Sequence, residues 1–197
     1  MDRRRLIYLM ACITFTLLLP KAAADQQAKA QDQTAACAIS SLPDGLQKKL
    51  GAQFASWKIQ ELRDLSPSAS VRWSSADYTG CPGIAVGEFR EKRRQSQAVL
   101  LVPRDKPDSA YCFVIYSAGS ESSAEEFTVV EKRDRAGAAN FFLNASRLDE
   151  LFDEQARRKA HMGAKDAVLL FDSGETEYEV DAYFWVETSY RNTPVDL

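Results

Sequence analysis

The chain has 197 residues, with 25 Lys+Arg against 28 Asp+Glu, a single His and a formal net charge of -3. Hydrophobic residues make up 45% and charged residues 27%, a balance that excludes collagen-like, coiled-coil and wholly disordered chains and fits a soluble globular protein. The length suits a single domain.

The first segment reads as an address. Asp2-Arg3-Arg4-Arg5 is basic, residues 6–19 are almost unbroken apolar, Pro20 interrupts them, and Ala22-Ala23-Ala24 offers small residues to a peptidase. This is the layout of an export signal cleaved after Ala24. The apolar run is short of the ~20 residues that span a bilayer, which argues against a membrane anchor. Cys12, after Leu9-Met10-Ala11, has the greasy run on its wrong side for lipidation. The expected location is periplasmic or secreted, with no transmembrane segment in the mature chain.

Residues 1–24 hold four basic residues and one acid, so the mature chain keeps 21 basic and 27 acidic residues, net -6. An acidic chain of this kind has no electrostatic basis for binding nucleic acid. Three cysteines remain: Cys37, Cys81 and Cys112. An odd number allows at most one internal disulfide. Cys112 falls inside an apolar strand pattern and suits a buried thiol. Cys37 and Cys81 lie outside regular elements, so they are the expected pair. No Cys-x-x-Cys or Cys/His grouping points to a metal, and no cofactor is implied.

Residues 25–40 form a polar Gln/Ala/Asp-rich leader without apolar period, expected to be flexible; residues 41–197 form the domain. Leu46, Lys49, Leu50 and Phe54 predict a short amphipathic helix ending near Gly51. Residues 57–62 alternate as a strand, and Ser66-Pro67-Ser68 is read as a break. Gly80-Cys81-Pro82-Gly83 marks a turn. Four strands follow, over 84–89, 97–102, 111–116 and 126–132. The second and third are apolar on both alternating faces, as for strands covered on both sides. The connections are too short for helical crossovers, so the strands run antiparallel. Residues 146–160 predict one helix, with Ser146 and Asp149 as a capping box and Arg157, Arg158 and Lys159 in its last turns. Strands over 167–172 and 178–188 complete an α+β fold: a mostly antiparallel, twisted β-sheet with one or two packed helices, and not a sandwich.

Cys81-Pro82-Gly83-Ile84-Ala85-Val86-Gly87-Glu88-Phe89, followed by Ala98-Val99-Leu100-Leu101-Val102, resembles a segment of uncharacterised exported bacterial proteins, similar to one FG-GAP or VCBS-type unit. The resemblance implies a β-loop-β shape and a bacterial source. It does not imply calcium: Glu88 stands where the pattern has Asp, and Arg90-Glu91-Lys92-Arg93-Arg94-Gln95 fills the loop that should supply oxygen ligands.

Among chemical motifs, Leu169-Leu170-Phe171-Asp172-Ser173-Gly174 resembles the aspartic-protease turn, but the chain has no second such motif to share a proton, and the same residues favour a tight turn. His161, the sole histidine, cannot build a multi-His metal site. Gly-x-Ser-x-Gly, Walker and Gly-x-Gly-x-x-Gly patterns are missing, and Glu125/Glu126 is too ordinary a pair to indicate a glycosidase. Asn144-Ala145-Ser146 matches the glycosylation pattern of eukaryotic secretion. Two surface features are binding candidates. Arg90, Lys92, Arg93 and Arg94 form a basic loop suited to an anionic partner. Tyr183 and Trp185, with Tyr178, would form an aromatic contact patch if exposed. The expected function is that of an exported non-enzymatic domain binding a protein or cell-envelope component; the alternative is an envelope hydrolase using dispersed Asp/Glu residues.

Overall fold

The computed structural model describes residues 36–76, 78–119, 124–134, 137–159, 162–174 and 178–197. The segment read as an export signal, most of the expected leader and His161 lie outside the described residues. Two antiparallel sheets account for the strands. The first holds β1 (Trp57–Ile59), β2 (Ile84–Gly87), β3 (Ser96–Pro103), β4 (Ala110–Ser117) and β5 (Glu126–Asp134). The second is a meander of β6 (Phe141–Arg147), β7 (Asp166–Ser173), β8 (Tyr178–Val186) and β9 (Ser189–Pro194). The helices are α1 (Asp44–Gln53), α2 (Pro67–Ser75), α3 (Leu148–Leu151) and α4 (Glu154–Lys159).

The α+β, mostly antiparallel class is as the strand patterns predict, but the strands divide into two sheets packed face to face rather than one. Side-chain parity shows why. In β3, Ala98, Leu100 and Val102 point into the core between the sheets, joined by Tyr111, Phe113 and Ile115 of β4 and by Phe141, Leu143, Val168, Leu170 and Tyr183 of the second sheet. The opposite parity, Val99, Leu101, Cys112, Val114 and Tyr116, packs under Leu46 and Leu50 of α1. In the second sheet, Phe142, Leu169, Phe171, Val180 and Phe184 face outward onto Ala69 and Trp73 of α2. Each sheet is thus buried on both faces, and strands of this kind lose the polar alternation of a half-exposed sheet.

Ser66-Pro67 starts a helix instead of merely breaking a strand. The Ser66 hydroxyl accepts from the Ala69 amide at 3.3 Å, and Pro67 occupies the first turn, where its missing N–H is harmless. The predicted helix over 146–160 is also revised. Ser146 and Arg147 are the end of β6, paired with Ala167 and Asp166. A single turn, α3, follows, and Asp153 then caps α4 by accepting from the Ala156 amide at 2.7 Å. Gly51 lies within α1 rather than ending it. Asn144 is half-buried mid-strand, opposite Leu169.

β1 and β2 both pair with β3 on the same edge, end to end. At the junction the Gln60 amide donates to the Leu100 carbonyl and the Leu100 amide donates to the Gly83 carbonyl. A Cβ on Gly83 would stand 2.6 Å from the Gln60 carbonyl oxygen, so this close approach requires glycine. Cys37 and Cys81 sit over the same joint at disulfide distance, Sγ–Sγ 2.08 Å and Cα–Cα 5.0 Å, as the cysteine arithmetic predicts. Cys112 is free and buried. The leader is therefore ordered from residue 36: Cys37 is buried and Ile39–Ser41 form a 3-10 turn.

Candidate functional site

The basic loop links β2 to β3 at one end of the sandwich. Its fold is fixed by Glu88, whose backbone and carboxylate both act. The Glu88 amide donates to Asp166 Oδ2 at 2.8 Å, and the Glu88 carbonyl accepts from the Lys165 and Asp166 amides. The Glu88 carboxylate accepts from the Arg93 amide at 2.7 Å. Arg93 itself adopts a left-handed backbone, φ 68°, a conformation uncommon outside glycine.

The four cations of this loop have separate fates. Arg90 lies over the Trp185 ring, 4.0 Å from its centroid, and pairs with Glu126. Arg94 is nearly buried. It donates to the carbonyls of Ala118 at 3.1 Å and Ala124 at 2.5 Å, and faces Glu91 and Glu126 at 3.7 Å. These two arginines hold the fold. Lys92 and Arg93 are exposed and reach no carboxylate among the described residues.

Lys92 and Arg93 form one wall of a groove of about 420 Å³. Glu88, Arg147, Leu148, Asp149, Arg157, Met162, Ala164 and Lys165 complete it. The end of β6, α3, α4 and the segment entering β7 bring these residues to the loop. Five cations thus line the groove against two carboxylates. Lys165 faces Glu88 at 3.8 Å and Arg147 pairs with Asp149. Lys92, Arg93 and Arg157 are left without a carboxylate partner among the described residues. The Arg157 Nε is buried and has no hydrogen-bond acceptor there either. Leu148 and Ala164 are buried and give the groove an apolar floor beside Met162.

The aromatic candidates are not a surface patch. Tyr183 is 5% exposed, in the core between the sheets, with its ring edge-on to Phe113 and its hydroxyl donating to Glu131. Trp185 is half-buried between Arg90 and Tyr190. Tyr178 is half-buried under Arg72, 3.4 Å from ring centroid to guanidinium carbon. The alternation along β8 correctly separates two faces, but both are covered: one by the other sheet, the other by α2.

A second polar cluster borders the core between the two sheets. Glu131 accepts from Tyr111 at 2.9 Å and from Tyr183, and pairs with Arg133. Burial foremost, then the Glu131 charge and hydrogen bond, push the Tyr111 hydroxyl far above its ordinary range; the same burial and the bond to Glu131 do so for Tyr183. Asp172 and Asp181 on the facing sheet are raised as well, first by burial and next by Glu179 and Glu131 respectively, with Arg133 opposing both. The Gly174 amide beside Asp172 acts against this rise, as a tight Asp-Ser-Gly turn brings the two together.

Arg147, Arg157 and Lys165 are the residues that sequence reasoning did not join to the basic loop. Arg147 ends β6, Arg157 lies in α4 and Lys165 precedes β7, and the β6–β7 pairing and the Glu88 tether bring Arg147 and Lys165 to the loop. Among the described residues no His/Cys/Asp/Glu group of three could hold a metal ion, and no helix is long and apolar enough to cross a membrane. Set against protein-family models, curated proteins and solved structures, the chain matches none of them.

Proposed function

We propose that the chain is an exported, non-enzymatic domain that binds a protein or cell-envelope partner through the groove beside the β2–β3 loop. The observation that carries this reading is the convergence of Lys92, Arg93 and Arg157, none paired with a carboxylate among the described residues, on a concave surface of an otherwise acidic chain. Cations held without partners around a concavity attract an anionic group, and the net negative charge of the rest of the chain confines that attraction to one place. The export-signal pattern of residues 1–24 and the resemblance to exported bacterial proteins support an envelope partner. A Cys37–Cys81 disulfide suits that oxidising setting. Affinity capture from an envelope extract tests it: wild type retains a partner that the Lys92→Gln/Arg93→Gln double variant releases. Equal retention by both would refute the groove as the binding surface.

One observation favours the alternative, an envelope hydrolase: burial raises the carboxyl groups of Asp172 and Asp181, with Glu179 acting on the first and Glu131 on the second. Carboxyl groups raised in this way are candidate proton donors. Turnover of glycoside, ester or peptide substrates that disappears in Asp172→Asn would select this reading.

A further inference from the structure

We infer that the groove is a binding site for a phosphate monoester carried on a small polyol, such as a glycerol phosphate, free or as a lipid headgroup. This deepens the proposed binding role and rests on it.

The argument begins with charge. Two of the five cations are answered internally, Lys165 by Glu88 and Arg147 by Asp149. Lys92, Arg93 and Arg157 are not, among the described residues. A carboxylate brings one negative charge and two oxygens. A phosphate monoester brings up to two charges and three terminal oxygens, so it can engage three separate cationic side chains at once. Two of the three are guanidinium groups, whose planar forks match phosphate oxygens.

The second observation is independent of the charge count. Arg157 comes from α4 and its Nε is buried with no acceptor among the described residues. Buried N–H groups are almost always satisfied, and one that is not calls for a missing partner. A charged donor left in this state is costly. An anion in the groove meets the Arg157 side chain, and a shift of that side chain on binding would bring its Nε to an acceptor.

Shape then sets the organic part. At about 420 Å³ the groove falls in the range of small-molecule sites, ~300–1,000 Å³, and leaves space around a bare phosphate. Leu148, Met162 and Ala164 offer carbon surface to a short aliphatic or polyol backbone. Asp149 and Glu88, which line the same groove, are the acceptors available to its hydroxyls.

The test is titration calorimetry with glycerol 3-phosphate, inorganic phosphate and acetate, together with sedimentation with phosphatidic-acid vesicles. The expected result is saturable binding of glycerol 3-phosphate or of the vesicles, tighter than inorganic phosphate, with acetate silent. Binding to the soluble ester identifies a free ligand; binding to vesicles alone identifies a headgroup. Lys92→Gln/Arg93→Gln, both exposed positions, should weaken binding at least tenfold. Arg157→Lys, which keeps the charge but loses the fork, should weaken it severalfold. Lys106→Gln, at the opposite end of β3, should leave it unchanged. Failure of both phosphate ligands, equal binding of acetate, or binding indifferent to Lys92 and Arg93 would overturn the inference. If the phosphates fail while capture from the envelope still depends on Lys92 and Arg93, the ligand class is wrong and the binding role stands. If both fail, the role falls too.

Discussion

Arg93 and Arg94 are neighbours on one loop with the same charge, yet the structure gives them opposite work, and replacing each by alanine separates the two. The Arg94 side chain is 10% exposed and donates to the Ala118 and Ala124 carbonyls, with a longer bond to Ser117 at 3.4 Å. Hydrogen bonds from charged donors contribute about 1.5–3 kcal/mol each. Ala118 and Ala124 are exposed, so water takes over part of their loss on substitution, and the sum falls below the ~3 kcal/mol that two such bonds would give at the low end of that range. Arg94→Ala should therefore cost about 2 kcal/mol. With a urea dependence of about 2 kcal/mol per molar for a domain of this size, the unfolding midpoint drops by about 1 M. Arg93→Ala keeps the amide that donates to Glu88 and removes only an exposed side chain, so it should stay within about 0.5 kcal/mol of wild type. Urea titration followed by tryptophan fluorescence reads both. Equal losses in the two variants, or an unaffected Arg94→Ala, would show that the division between fold-holding and free cations is mistaken.

Three further outcomes follow from the geometry. Replacing Cys37 and Cys81 by serine opens a loop of sequence separation 44, and chain entropy sets the loss at about 4 kcal/mol; a denaturation midpoint unchanged by reductant would contradict a closed bond. Cys112 is buried, and burial pushes its thiol up to about 11, so a thiol reagent such as DTNB should label the native protein only at the rate of unfolding, and fast stoichiometric labelling would count against its placement. Asp172 holds its proton more tightly in the fold than in the unfolded chain. Its contribution to stability is full below the ordinary aspartate value of about 3.9 and is lost as pH rises through its folded value. Asp172→Asn should gain stability relative to wild type as pH rises from 4 to 7, and urea midpoints whose difference stays flat across that window would refute the burial of this carboxyl.

Much of the fold was legible because strands covered on both faces leave a continuous apolar record. The 97–102 and 111–116 runs lack polar alternation, and β3 and β4 are indeed central strands. The division into two sheets left no local mark, since Ala98 facing a second sheet and Val99 facing a helix are equally apolar. β9 escaped because Ser189–Pro194 has almost no hydrophobic content and is held by pairing with β8 at the sheet edge. β6 was obscured by Ser146 and Asp149, whose spacing imitates a helix start that the structure places two residues later, at α3. The groove was half legible: Lys92 and Arg93 announce themselves as a run of charge. Arg147, Arg157 and Lys165 are single cations in three segments, and nothing in their spacing says that they meet.

Both outer helices precede the surfaces they lie on. α1 rests on β3 and β4, and α2 rests on a meander that begins only at residue 141. A chain threaded through a translocation pore amino end first would deliver its coverings before the ground they cover. It would remain pliant until its last fifty or so residues emerged, closing late and all at once around contacts far apart in the chain, a topology that makes for slow folding.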